Sequence, residues 1–579
     1  VDVRAGRLRS IRSAGRSVPR GFSSPKPASS AWEPWFPAGG AFFVYTAFMR
    51  RYWPELVLLG LYLTISATTL TWFPFVHSDE AWLASLSREI LRSGSLAATE
   101  PFFSLTPRHP HAIKTLYHLI QLPFLAVSFS PFAARIPSLI AGVATVGGAW
   151  ILLRRNGVHR WIAGVVTAAL ALDVQMLYTA HLARQEALLV AVMLAVASSR
   201  RTVIPALALA STVFVHPNAL LVGLGVVPWL RSSTHTQALR HRLAVYAGAV
   251  LIATLLVLAA SFAMDPMFLS NYLAFGDAVG VTSSPLERLL RFRGFFEKLM
   301  GRVAGTYYLP PFRPTALLAV ATVALSLLVA AVRRRVSLLR PTGSLLAVAL
   351  GLFAIGKYSP PSVVFLVPWV YLQGALTMQA LWEELPGHPR IGIQTVLVLF
   401  VAALAVGPVT TAREVSRWYP QALYGVADSV SFRPRAYRQL EEELRRELVR
   451  ADLVGAPILA NLNTAFMLDS EPLLAFRDLG AIPRDAEQPV LQLLQARGIR
   501  AVLLPRQEMD LIYRERPVWN AVYGNPSRYY RELQSILENH ATRVAVIPAP
   551  VYGMRLVSRL GTTEPPTWEL YRLSPDVTQ

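Results

Sequence analysis

Two carboxylates, Asp79 and Glu80, stand side by side in FVHSDEAWLASLSREILRSG, residues 75–94, directly after an almost uncharged run at 56–76. A carboxylate placed there can accept a proton from a reacting hydroxyl. With a second acid it can hold a divalent cation, and at a helix start it is favoured by the helix dipole. Further ionisable groups border apolar runs later in the chain. They are Lys114, then His181, Arg184 and Glu186 in HLARQE, His216 in VHPN, and Lys357 and Tyr358 in GKYSPP. The chemistry open to them depends on whether the chain brings them to one place.

The elements that must position them are membrane spans. The chain has 579 residues, 53% of them hydrophobic and 16% charged, against roughly 25% charged in a soluble protein. That balance and the long apolar runs define a polytopic membrane protein. The net charge of +21 does not indicate nucleic acid. The basic residues fall in short clusters between apolar runs, at Arg154/Arg155, Arg200/Arg201, Arg240/Arg242 and Arg333–Arg335, as the positive-inside rule expects of cytoplasmic loops. Cysteine is absent, which excludes thiol catalysis, disulfides and Cys-ligated zinc.

The charge rule orders the spans. Residues 1–50, rich in Arg, Ser, Pro and Gly, are expected to be a disordered cytoplasmic tail, with a transit peptide as the lesser reading and no cleavable signal peptide. Span 54–76 follows Arg50 and Arg51 and runs outward, leaving Asp79 and Glu80 outside. An amphipathic helix over 79–92, with Ser78 as N-cap and Trp82, Leu86 and Ile90 on its apolar stripe, then lies along the interface. Residues 113–130 contain Lys114, His118, Gln121 and Pro123 and are expected to stay on the outer surface. Otherwise Arg154/Arg155 would emerge outside. Spans at 132–153, 161–179, 186–199, a shallow pair at 202–214 and 219–230, and spans at 243–264, 314–332, 343–356, 361–381 and 391–411 complete about eleven crossings. Beyond 411 both signs of charge become frequent. Strands are expected at APILAN, IRAVLLP and TRVAVIPA, with helices at 433–453, 489–497 and 528–539. The expected fold is mainly α: a transmembrane bundle over 51–411 with outer-face juxtamembrane helices, and an extracytoplasmic α/β domain over 412–579.

On this topology Asp79, Glu80, Lys114, His181, Arg184, Glu186, His216, Lys357 and Tyr358 all fall on the outer face. Each has a structural use taken singly: a dipole partner, an interfacial ion pair, a turn histidine, a snorkelling lysine. Their convergence from several segments favours one cavity near the outer surface, because polar groups at membrane depth tend to line cavities. Asp173, inside an apolar run, ranks below them as a cavity residue and equally suits pairing within the bundle.

The same residues carry a resemblance. HSDEAWLASLSREILRSG after a first span, KTLYHLIQLPF before SPFAARIPSLIAG, ARQEALLVAVML, and GKYSPPSVVFLVPWV together resemble the polytopic glycosyltransferases of the GT-C fold, especially the protein O-mannosyltransferase and aminoarabinose transferase branch. The likeness covers roughly residues 50–380. It departs from the family where Lys114 is followed by Thr-Leu-Tyr rather than Pro-Pro-Leu, and where Arg184-Gln185-Glu186 replaces Arg-Pro-Glu.

The resemblance implies transfer of a sugar from a polyprenyl-phosphate carrier to an acceptor hydroxyl at the outer face, with inversion. Asp79 would be the general base. Glu80 would contact sugar or acceptor, or hold Asp79, and Glu186 would be a second cavity acid. Cations for the leaving phosphate would be Lys114, Arg184 and Lys357, with Arg288 and Arg291 of a long outer loop as weaker candidates. His181, His216 and Tyr358 would line the substrate site. A divalent metal, held by Asp79 and Glu186 if anywhere, is left open. The acceptor would be a lipid, glycan or protein. The other readings are a flippase for a lipid-linked sugar, for which internal symmetry and midplane charges would be expected, and a ligase or polymerase of lipid-linked glycans.

Overall fold

The computed structural model describes residues 38–100, 102, 109–230, 236–278, 284–301, 309–356, 359–383, 390–417, 437–469, 472–482, 489–510, 527–548 and 567–575. Residues up to Pro54 and from Glu55 onward form two compact units. The first helix, α1 (Ala38–Thr69), begins inside the stretch expected to be a tail and ends seven residues before Val76. It cannot run on through Pro74, which lacks an amide hydrogen and clashes with the preceding turn.

The helices that follow are α2 (Ser78–Ser93), α3 (Thr115–Val127), α4 (Pro131–Arg155), α5 (Arg160–Ala171), α6 (Val174–Ala180), α7 (Glu186–Ser198), α8 (Val203–Ser211), α9 (Ala219–Leu230), α10 (Thr236–Met264), α11 (Phe268–Ala278), α12 (Pro285–Gly301), α13 (Arg313–Arg333), α14 (Arg340–Ile355), α15 (Val367–Trp382) and α16 (Arg390–Arg417). Among the described residues six helical segments are long and apolar enough to cross a membrane: Pro131–Arg155, Leu239–Met264, Arg313–Arg333, Val336–Ile355, Pro360–Trp382 and Gln394–Ser416. The pair α5–α6, bent by 60°, makes a seventh if it counts as one span. At 13 residues, α3 and α7 are too short to cross alone, since a span needs about 20. For α3 this agrees with the surface segment expected from the charge rule. For α7, expected as a span, it does not. The polar turn HLARQE and Ser199 bound that helix on either side.

Packing explains why α4 and α7 sit at the centre. Gly148 of α4 faces Leu194 of α7 so closely that a Cβ there would come within 3.2 Å of the leucine. A glycine at that point lets the two backbones approach. The surrounding core includes Leu152, Val190, Met193, Trp369 and Tyr371.

Beyond α16 come α17 (Tyr437–Arg450), β1 (Ile458–Ala460), β2 (Leu473–Ala475), α18 (Pro489–Ala496), β3 (Ala501–Pro505), α19 (Arg506–Met509), α20 (Ser527–His540), β4 (Ala541–Pro548) and β5 (Thr567–Leu573). The strands form one mixed sheet in the order β2-β1-β3-β5-β4. β1 is parallel to β2 and β3, while β5 is antiparallel to β3 and β4. The three expected strands are β1, β3 and β4. The expected helices are α17, α18 and α20, matched within a few residues. The sheet region is seated on α2. Tyr437 packs against Phe75 and Phe466 against Phe129, Arg88 pairs with Asp469, and the Arg88 guanidinium lies 4.3 Å from the Phe129 ring centre.

Candidate functional site

Asp79 and Glu80 sit in the first turn of α2. His77, not Ser78, is the N-cap: its Nδ1 accepts the Asp79 amide hydrogen at 3.0 Å, and its own amide donates to Glu80 Oε1 at 2.9 Å. This reciprocal arrangement satisfies the free amides of the first turn. The buried stripe of α2 runs through Glu80, Leu83, Ala84, Ser87 and the expected Ile90, while Trp82 and Leu86 are only partly buried. Reading only apolar residues as buried places the stripe wrongly, because Glu80 and Ser87 are buried with their polar atoms satisfied.

The two neighbouring acids have different surroundings. Glu80 is sealed, and its two oxygens accept four hydrogen bonds. Arg135 donates from Nε (2.7 Å) and Nη2 (2.8 Å), Ala183 N donates at 2.8 Å, and His77 N supplies the fourth. Arg135, fully buried, also donates from Nη1 to Leu70 O at 2.6 Å. Asp79 has its side chain 22% exposed and meets the Arg184 guanidinium through Oδ2.

Arg184 joins the separate segments. Its Nε and Nη2 grip Glu186 at 3.2 and 2.9 Å while Nη1 holds Asp79. Glu186 is fully buried at the start of α7. Ser359 Oγ donates to Glu186 Oε1 and accepts from Arg184 Nη2, both at 3.1 Å. The segments at 79, 184–186 and 359 therefore meet. Lys357 and Tyr358 lie outside the described residues.

The other expected residues are placed as follows. Lys114, half-buried, precedes α3 in a left-handed conformation. Its charge and that of Arg184 reach His216, whose imidazole burial and these two cations hold below its ordinary range. His216 Nδ1 accepts the Asn218 amide hydrogen at 3.1 Å. His181 is fully buried. Its Nδ1 donates to Phe73 O at 2.9 Å while Nε2 meets no hydrogen-bond partner. Burial, aided by the Arg135 charge, takes its imidazole down to about 3, so it is neutral. It ties backbone and does not face the acids as a cation. Arg288 donates to Ala354 O at 3.0 Å near the end of α14, and Arg291 is exposed on α12. Asp173 is paired within the bundle. Its Oδ2 accepts from Tyr371 (2.9 Å) and Thr315 (3.0 Å), and Oδ1 caps α6.

Sequence reasoning left several residues of this region without a role. Arg135 and Ser138 stand in AARIPS, and Ser359 follows GKY. Tyr117, His118 and Gln121 form a buried polar group with Ser87. Gln121 Nε2 donates to Tyr117 Oη at 3.2 Å, and Ser87 Oγ lies 2.8 Å from both His118 Nδ1 and Gln121 Oε1. Burial and the Lys114 charge hold the His118 imidazole down to about 3. Three polar residues spaced along an otherwise apolar 13-residue helix were the available signal.

Among the described residues no group of three or more His, Asp or Glu is placed to hold a metal. Asp79 and Glu186 share the Arg184 guanidinium, so a metal ion would have to compete with a cation already between them. The donor set does not fit a resident metal.

The sequence matches no family model and no curated protein. Solved structures do match. ArnT from Cupriavidus metallidurans, bound to undecaprenyl phosphate, superposes with a TM-score of 0.54 at 12% identity, over 91% of this chain and 99% of that one. The Archaeoglobus fulgidus oligosaccharyltransferase in its apo form gives 0.51 at 10% identity, over 82% and 72%. The same archaeal enzyme, AglB, with an inhibitory peptide and a dolichol-phosphate gives 0.50 at 12%, over 81% and 71%. The chain thus has the fold of the GT-C membrane glycosyltransferases, the fold that its motifs resemble.

Proposed function

We propose that this protein is a membrane glycosyltransferase that moves a sugar from a polyprenyl-phosphate-linked donor to an acceptor hydroxyl at the outer face. The observation that carries the reading is the Asp79–Arg184–Glu186 cluster. It sets a partly open carboxylate against a guanidinium at the head of α2 and the start of α7, in a helical bundle of this fold. Two of the similar structures contain a polyprenyl-type phosphate.

In a single displacement the acceptor oxygen attacks the anomeric carbon as the bond from that carbon to the phosphate oxygen breaks. Configuration inverts, the acceptor proton passes to Asp79, and polyprenyl phosphate leaves with the electron pair. Asp79 suits the base because it alone of the three acids reaches solvent-accessible space. Arg184 would receive the developing phosphate charge, with Lys114 and Lys357 as further cations. A guanidinium recognises phosphate in a two-pronged geometry. Donor phosphate would therefore draw Arg184 away from Asp79 and free the carboxylate to act as base. Glu186 keeps hold of Arg184, and Glu80, its oxygens already engaged, holds the loop instead of reacting. His216 and Tyr358 would border the sugar, and Arg288 and Arg291 the entry. Residues 1–50 would be cytoplasmic, 51–411 the catalytic membrane module, and 412–579 an extracytoplasmic domain.

The test is incubation of the full-length protein in membranes with a panel of labelled polyprenyl-phosphate sugars. Cleavage of one of them, abolished by Asp79→Asn, is expected. Movement of label across the bilayer without cleavage would instead identify a flippase, and retained turnover in Asp79→Asn would remove Asp79 as base.

A further inference from the structure

We propose that Arg135 and Ser138 of the AARIPS segment are positioning residues, which hold the backbone of the Ala183–Arg184 turn so that the Arg184 guanidinium lies between Asp79 and Glu186. The two lie three residues apart, on one face of α4. Arg135 grips both oxygens of Glu80, and Glu80 in turn accepts the Ala183 amide hydrogen at 2.8 Å. Ser138 Oγ donates to Arg184 O at 3.1 Å. A third tie, from His181 Nδ1 to Phe73 O, fixes the start of the same turn.

This turn joins α6 to α7 without being helical itself, so its conformation has to be imposed from outside. An irregular backbone in this setting is tolerated where protein surrounds it. A buried ion pair is a poor source of stability, because desolvation of both charges offsets their attraction. Its geometry is more informative: the Arg135 fork orients Glu80, and Glu80 orients the peptide immediately before Arg184. Displacement of a reacting group by about 1 Å can cost about a hundredfold in rate. The inference deepens the transferase reading for its consequence, and its geometry stands apart from that reading.

The test uses the full-length protein in detergent and two variants, Ser138→Ala and Arg135→Lys, the first removing one hydrogen bond and the second keeping the charge but losing the fork. Arg184 modification by phenylglyoxal is followed by peptide mass mapping, with the exposed Arg438 as internal reference. Arg184 is expected to react about three- to tenfold faster in both variants, the worth of roughly one buried hydrogen bond, with the Arg438 rate and the thermal midpoint of Ser138→Ala nearly unchanged. An unchanged Arg184 rate in folded Ser138→Ala would overturn the proposal. A second arm measures equilibrium binding of undecaprenyl phosphate. Ser138→Ala should weaken it severalfold in the natural background and have no further effect in Arg184→Gln. Full additivity would mean general loosening and would also overturn it. If the natural chain does not bind the probe, the transferase reading fails, and the reactivity measurement alone decides the positioning role.

Discussion

Two buried acidic regions of this protein handle charge in opposite ways. At the bend between α5 and α6, Asp173 is met by two hydroxyls and by the amide hydrogens of α6. It caps a broken helix and ties α6 to α13 and α15. Between α2 and α7, Asp79 and Glu186 share one guanidinium, Ser359 also donates to Glu186, and Asp79 keeps an accessible edge. Neutral donors hold a carboxylate where the backbone needs it. A shared cation beside a carboxylate with an accessible edge leaves an ion pair that an incoming anion could open. Asp173 is thus a structural acid, and Asp79 has the surroundings that the proposed base requires.

Substitution is the most direct way to break that comparison. Asp79→Asn should lower turnover of a labelled polyprenyl-phosphate sugar by about 10²–10⁴-fold, the range for loss of a general base, while the unfolding midpoint stays near that of the natural chain. Equal loss of stability and activity would erase the distinction. Arg135→Met should act through the fold, costing about 3–5 kcal/mol because Glu80 is left charged and unpaired. Unfolding in detergent measures this. For Asp173→Ala the expected cost is smaller, about 1–3 kcal/mol for the lost cap and the orphaned hydroxyls of Tyr371 and Thr315. Turnover by the folded fraction should be little changed, and a specific loss of turnover would move Asp173 into the reactive class.

Acidification sharpens the same contrast. His118 and His181 are buried and neutral, with imidazoles near 3 against an ordinary 6.5. Below pH 6.5 the unfolded chain binds protons that the folded chain refuses until about pH 3. Stability present above pH 6.5 is therefore lost as pH falls through that window, by up to about 1.4 kcal/mol per pH unit for each histidine. His118→Asn should make the pH dependence of unfolding shallower by about that amount for one proton. The cysteine-free sequence also permits a topology check with no effect on stability. Ser95→Cys, exposed in the loop after α2, should react with an impermeant thiol reagent from outside, and Ser199→Cys should not.

Much of this was legible in the residues. The polytopic fold followed from composition and charge placement, and the sheet strands β1, β3 and β4 from short apolar runs. β2, three residues long, is too short to show a period, and β5 alternates weakly through Glu569 and Arg572. The meeting of Asp79, Arg184 and Glu186 agrees with their expected placement on one face of the membrane. Glu80 was not separable from Asp79 in sequence, because its difference comes from Arg135, 55 residues away. Residues 38–50 show the limit of charge counting: a basic flank does not preclude helix.

The seat of the sheet on α2 has a mechanical consequence. Arg88, in the second half of that helix, is clamped by Asp469 and Phe129, and His77 and Glu80 fix its start. Between Arg88 and Asp79 lies a rigid rod of about 14 Å at 1.5 Å per residue. The placement of Asp79 is thus shared between its own helix cap and a segment 381 residues beyond Arg88 in the chain.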